Sequence, residues 1–309
     1  MSPARYDAAT GQRALCGRAG LLAGALDWIE THLPAFDPLT DGIKPDALRN
    51  KALAELAFMC DYLCRAQPAE RVRAQRILSF VAQVSQRPEY QDLIVRNPES
   101  LQLYALTYGS LRHAGFDVAS AAPMIQGVVD AGYALAVEVV PFRMMDLRHV
   151  LDNAGIRHAL PPMAKSLAQT MLAQRPPLHY LTSADVYCLT HTIFYLTNFG
   201  RDPVDAIESS GLEAYRRMVE QLLGLYVRLR NWDLTAELLV CTHCLKSPAS
   251  EVQSAAMQAL TAAQLDDGSV PAPGFDPKGE DARRAGASYA FEHNYHTTLV
   301  AALAAFLCP

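Results

Sequence analysis

Residues 183–200 read SADVYCLTHTIFYLTNFG. Wound into a helix, this stretch carries apolar side chains on every side, and such a helix has to be buried. Residues 212–230, LEAYRRMVEQLLGLYVRLR, differ in kind, because one face is charged. The same contrast recurs along the chain. Residues 69–86 are polar-faced, whereas residues 46–66, 101–115, 142–155, 232–247 and 288–307 are apolar almost all round. Strand patterning is nearly absent, and short Pro, Gly, Asp and Asn clusters separate the helical segments.

About twelve helices follow from this periodicity, alternating between polar-faced and enclosed. The expected fold is all-α, an (α/α)6 toroid of about six helical hairpins with an inner ring inside an outer one, forming a single domain over residues 1–309. Internal similarity supports repetition: YALTYGSLRHAGF from Tyr104 aligns with YCLTHTIFYLTNF from Tyr187. An ordinary helical solenoid, or two stacked bundles, is the competing arrangement. One connection is exceptional, the Gly-, Pro- and Asp-rich loop 266–287 before the last enclosed helix, which is placed to act as a lid.

Composition narrows the functional classes. Half of the 309 residues are hydrophobic and 19% are charged, with 27 basic against 32 acidic side chains for a net charge of −5. Disorder is excluded by that apolar content, and no positive field exists to attract nucleic acid or an anionic membrane. No apolar run is long enough to span a bilayer, and Met1–Gly17 lacks the succession of a signal peptide. The seven cysteines are odd in number and scattered through apolar runs, as expected of thiols in a cytoplasmic protein.

On enclosed helices the polar residues carry the functional signal. Counted from Ser183, Asp233, Ser288 and Ser100, the residues His191, Cys241, His296 and Tyr108 all lie eight positions on. Equal depth on neighbouring helices is what a shared site requires. Imidazole and thiolate are preferred ligands of zinc, so His191, Cys241 and His296 are the expected ligands of one divalent metal, with His243 or Glu237 as alternates. Asp233, Glu237, Cys241 and Cys244 share one helical stripe, and Glu292 stands one turn before His296. Such carboxylates can ligate, support a ligand or move protons, so Glu237, Glu292 and Tyr108 are the catalytic candidates. Tyr187 and Tyr195 share a face with His191 and are expected to line a substrate cavity. His32, His113, His149, His158 and His179 fall near helix ends or in loops, where capping or exposure is expected.

The C-terminal region, DDGSVPAPGFDPKGED followed by NYHTTLVAAL, resembles the end of protein prenyltransferase β subunits. That resemblance implies an α/α toroid and a zinc-ligand role for His296. Where that family has an Asp-x-Cys pair, this chain has Cys241-Thr242-His243, and it has no basic cluster for a diphosphate. His243-Cys244 is similar, in reverse order, to the Cys-His pair of lanthipeptide cyclases, and the DGS loop is similar to that of terpene cyclases. Together these point to a metal-dependent biosynthetic enzyme, a transferase, lyase or cyclase acting on an apolar or peptide-like small substrate. A metal-free helical-repeat module binding a peptide or small ligand is the alternative.

Overall fold

The fold comes from a computed structural model, which describes residues 17–39, 46–65, 68–204, 209–285 and 287–308. Cys16 and the Met1–Cys16 part of the N-terminal stretch lie outside these residues. The chain is all-helical, with no strand among the described residues. The first helices are α1 (Arg18–Thr31), α2 (Ala47–Leu63), α3 (Pro68–Ser85), α4 (Pro88–Arg96) and α5 (Leu101–His113). Then come α6 (Ala122–Asp130), α7 (Tyr133–Ala136), α8 (Pro141–Ala154), α9 (Met163–Leu167), α10 (Met171–Gln174) and α11 (Ser183–Leu196). The last are α12 (Ser209–Arg228), α13 (Trp232–Cys244), α14 (Glu251–Ala262), α15 (Glu280–Ala285) and α16 (Ala287–Leu307).

Three segments depart from the expected helices, each for a local reason. Pro88 opens α4, a short helix whose Tyr90, Leu93 and Ile94 are buried, where sequence periodicity indicated only a connection. Residues 120–138 divide into α6 and α7 at Gly132, whose φ of 85° is left-handed. Residues 161–174 divide into α9 and α10 because the Thr170 hydroxyl accepts a bond from Ala173 N at 3.4 Å and restarts the helix.

The chain forms two compact units, each built from separated stretches: Leu33–Met218 with Cys244–Lys246, and Met1–His32, Val219–His243 with Ser247–Pro309. In the larger unit α2 packs on α5, α5 on α8 and α8 on α11, while the polar-faced α3 lies against α2. The helices in this row are the ones that the sequence marks as enclosed. Asp46 starts it, accepting from Leu48 N at 2.9 Å and Arg49 N at 3.2 Å. Close approach of α5 and α8 depends on Gly109, where a Cβ would stand 3.2 Å from Ala154 N.

A polar layer sits at the ends of these helices. The Asp61 carboxylate, 3% exposed, bonds to Arg201 and lies 3.5 Å from His113 Nδ1. Burial pushes Asp61 up, but His113 and Arg201 outweigh it and hold the carboxyl below 3.8. Arg201 also stacks 3.8 Å from the centre of the Tyr62 ring. Asn198, Phe199 and Gly200 take φ values of 47°, 52° and 80°, a run of left-handed residues that turns the chain just before Arg201. His149 is not at a helix end, as its sequence position suggested, but 4% exposed within α8, with Nε2 lying 3.0 Å from Asn198 Oδ1 and 2.9 Å from Asn153 Nδ2. Burial pushes its imidazole down to about 4.

In the smaller unit α1 packs on α16 and α14. Trp28 stacks on Phe291 at 6.0 Å between ring centres, and His32 caps α1 with Nδ1 2.8 Å from the Trp28 carbonyl. The 266–287 connection contains α15, and its first half is strapped along α16. Val270 N donates to Thr298 Oγ1 at 3.0 Å, Ala272 N to Asn294 Oδ1 at 3.1 Å, and Phe275 stacks on Tyr289 at 5.5 Å. Gln264 Nε2 closes the loop base, donating to the carbonyls of Leu21 at 3.0 Å and Gly268 at 2.8 Å. Cys60, Cys241, Cys244 and Cys308 are buried, and Cys64 and Cys188 are half-buried. No helix among the described residues is long and apolar enough to cross a membrane.

Gly268 has φ +90°, and a Cβ there would meet Gly24 O at 2.2 Å. Gly268→Ala should therefore cost about 2 kcal/mol or more in urea unfolding, because strain and overlap act together. His149 gives a second expectation. Its folded value of about 4 lies below the ordinary 6.5, so the unfolded chain binds the proton first. The stability that neutral His149 represents is complete above that ordinary value and is lost as pH falls towards the folded one, up to about 3 kcal/mol. Denaturation midpoints across this window should fall steeply in the wild type and less steeply in His149→Gln; parallel slopes would contradict the assignment.

Candidate functional site

The first turns of α13 organise the site. Asn231 Oδ1 caps the helix by accepting from Leu234 N at 3.0 Å, which places Asp233 inside the first turn, where a helix N-terminus favours negative charge. Glu237 follows one turn later on the same face. Both are enclosed, at 6% and 1% exposure. From α16, His296 reaches the same point: Nε2 lies 3.7 Å from Asp233 Oδ1 and 3.6 Å from Glu237 Oε1. Candidate ligand atoms of the three residues all fall within 4.8 Å of one another, the one such group of three or more among the described residues. Next to His296 in sequence, Thr297 Oγ1 donates to Asp233 Oδ1 at 3.1 Å and fixes that carboxylate.

The spacing suits a small cation. Ligand atoms about 2.0 to 2.2 Å from a tetrahedral ion stand about 3.3 to 3.6 Å apart, close to the separations from His296. With one imidazole and two carboxylates, the donors are richer in oxygen than a thiolate site. Such a group can also exist without metal, as an imidazolium between two carboxylates. In either case the buried charges meet their opposites, as low-dielectric surroundings require.

Of the sequence candidates, His296 and Glu237 meet here and Asp233 joins them. Cys241 is fully buried one turn beyond Glu237, and neither it nor His243 belongs to the group. The equal-depth count is shifted by capping: Asn231 rather than Asp233 caps α13, Thr182 rather than Ser183 caps α11 through a capping box with Asp185, and Ser288 lies inside α16. Glu292 is exposed and bonded to Ser288.

His191 belongs to the larger unit, where Nδ1 lies 2.9 Å from the Tyr187 carbonyl. The rings of Tyr187 and Tyr195 stand edge-on to it, at 6.4 and 6.0 Å between centres. Tyr108, also in that unit, donates to the Ser85 carbonyl at 2.7 Å, and burial pushes its hydroxyl up. Its proton is committed to a structural bond.

Asp233 is the member of this group that sequence counting underweighted, because it was treated as a cap. The i, i+4 carboxylate pair was the signal that marked it. Thr297→Val removes this donor to Asp233 with little change in side-chain size. It should cost about 2 kcal/mol of stability by urea unfolding, as expected for a buried bond to a charged group, whereas an unchanged midpoint would mean that Thr297 does not hold the carboxylate.

No curated protein matches this chain. A family model described as "Domain of unknown function (DUF6895)" matches residues 22–306, a span that includes Asp233, Glu237 and His296, and the chain belongs to that family.

Proposed function

We propose that Asp233, Glu237 and His296 hold one divalent metal ion and that the protein is a metal-dependent enzyme. The observation that carries this is the convergence of two buried carboxylates and an imidazole within 4.8 Å. A divalent ion with a neutral imidazole would match the charge of two carboxylates. A bound ion would supply Lewis-acid chemistry. The chain's own part is to keep the donors fixed, Asp233 by Thr297 and Glu237 by its helix, and to keep them dry. Without a thiolate in the group, zinc and manganese compete on more equal terms than a His-Cys-His set would allow.

The substrate class follows from the sequence: an apolar or peptide-like small molecule taken into a cavity of the helical toroid, for biosynthetic modification in the cytoplasm. Support for the toroid comes from the unbroken row α2, α5, α8 and α11, which repeats the expected order of enclosed helices. An odd number of cysteines scattered through apolar helices supports the reducing compartment. The metal-free reading, a module whose His296 simply neutralises two acids, rests on the same distances.

Calorimetric titration of the full chain with zinc and with manganese separates the two. Binding of about one ion per chain is expected for one of the metals, lost in Glu237→Gln and in His296→Ala while circular dichroism stays helical. Absence of binding would favour the metal-free module, and binding undiminished in both folded variants would mean that these residues do not hold the ion.

A further inference from the structure

The larger unit holds a cleft of about 60 Å³ in which charges of both signs border an aliphatic wall. Glu99, Arg143 and Asp146 supply the charges, and Val137, Val139 and Leu147 the wall. Asp146 sits in α8 and is 8% exposed, with Oδ2 3.3 Å from Nη1 of Arg143 one turn earlier. Burial pushes its carboxyl up, against the charges of Arg143 and His191 and hydrogen bonds from Arg143 and Tyr195. The pair His191 and Tyr195, prominent in the sequence, thus supports this carboxyl from α11. The Arg143 side chain is 51% exposed, so part of its five-donor guanidinium remains open to solvent.

A simple cation would meet Arg143 repulsively, and a simple anion would meet Glu99 and Asp146 in the same way. A molecule with both charges a few ångströms apart satisfies both ends. The room available holds roughly four or five waters, close to the heavy-atom count of a small amino acid, which limits its side chain to a carbon or two. The geometry points to a binding site for a small aliphatic α-amino acid, with its carboxylate on Arg143, its ammonium between Asp146 and Glu99, and its side chain on Val137, Val139 and Leu147. This site stands apart from the metal proposal and does not depend on it.

Titration of the full chain with L-alanine, n-propylamine and propionate, followed by NMR shifts or calorimetry, tests the assignment. Alanine should bind, and each single-charge analogue should bind roughly tenfold more weakly or worse. Arg143→Gln and Glu99→Gln alter exposed side chains, and each, with circular dichroism showing it folded, should weaken alanine by a similar factor. Propylamine or propionate equalling alanine, alanine failing to bind, or Arg143→Gln leaving its affinity unchanged would overturn the proposal.

Discussion

A helix that is apolar on all sides exists in water only if other helices enclose it, and whatever polar groups it carries must then be satisfied inside. Most of this molecule follows from that constraint. In the larger unit it lines up α2, α5, α8 and α11, joins Asp61 to His113 and Arg201, and pairs the buried His149 with Asn153 and Asn198. The smaller unit obeys it differently: α16 is covered on one face by the strapped loop from Val270 to Phe275, and it turns His296 towards two acids on α13. Sites arise here because the burial that makes these helices stable also makes their few polar residues find one another.

Enclosure was the legible part of the sequence. Which helices pack in the row could be read from their all-round apolarity, and so could the shortlist of polar residues on them. Register was not legible to the residue. Counting from Asp233 as a cap put Cys241 at the shared depth, whereas the Asn231 side chain takes the cap and brings Asp233 and Glu237 to the meeting point instead. Two neighbouring candidates for one cap differ by a single hydrogen bond, and periodicity cannot weigh that bond.

Partners distant in sequence were invisible for a related reason. Asp61 and Arg201 are far apart along the chain, and their pairing depends on a left-handed run at Asn198 to Gly200 that only Gly200 hints at. His149 looked terminal because DNAG follows it closely, yet the packing of α8 buries the ring. Asp146 gave no motif at all; its importance comes from desolvation beside Arg143 and from contacts with α11.

The central claim is that the metal ligands are oxygen and nitrogen atoms of Asp233, Glu237 and His296. X-ray absorption at the zinc edge of the zinc-loaded chain tests it most directly. An oxygen and nitrogen shell at about 2.0 to 2.2 Å with the scattering of one imidazole is the predicted result. A sulfur shell near ~2.3 Å would return the site to Cys241 and contradict the assignment.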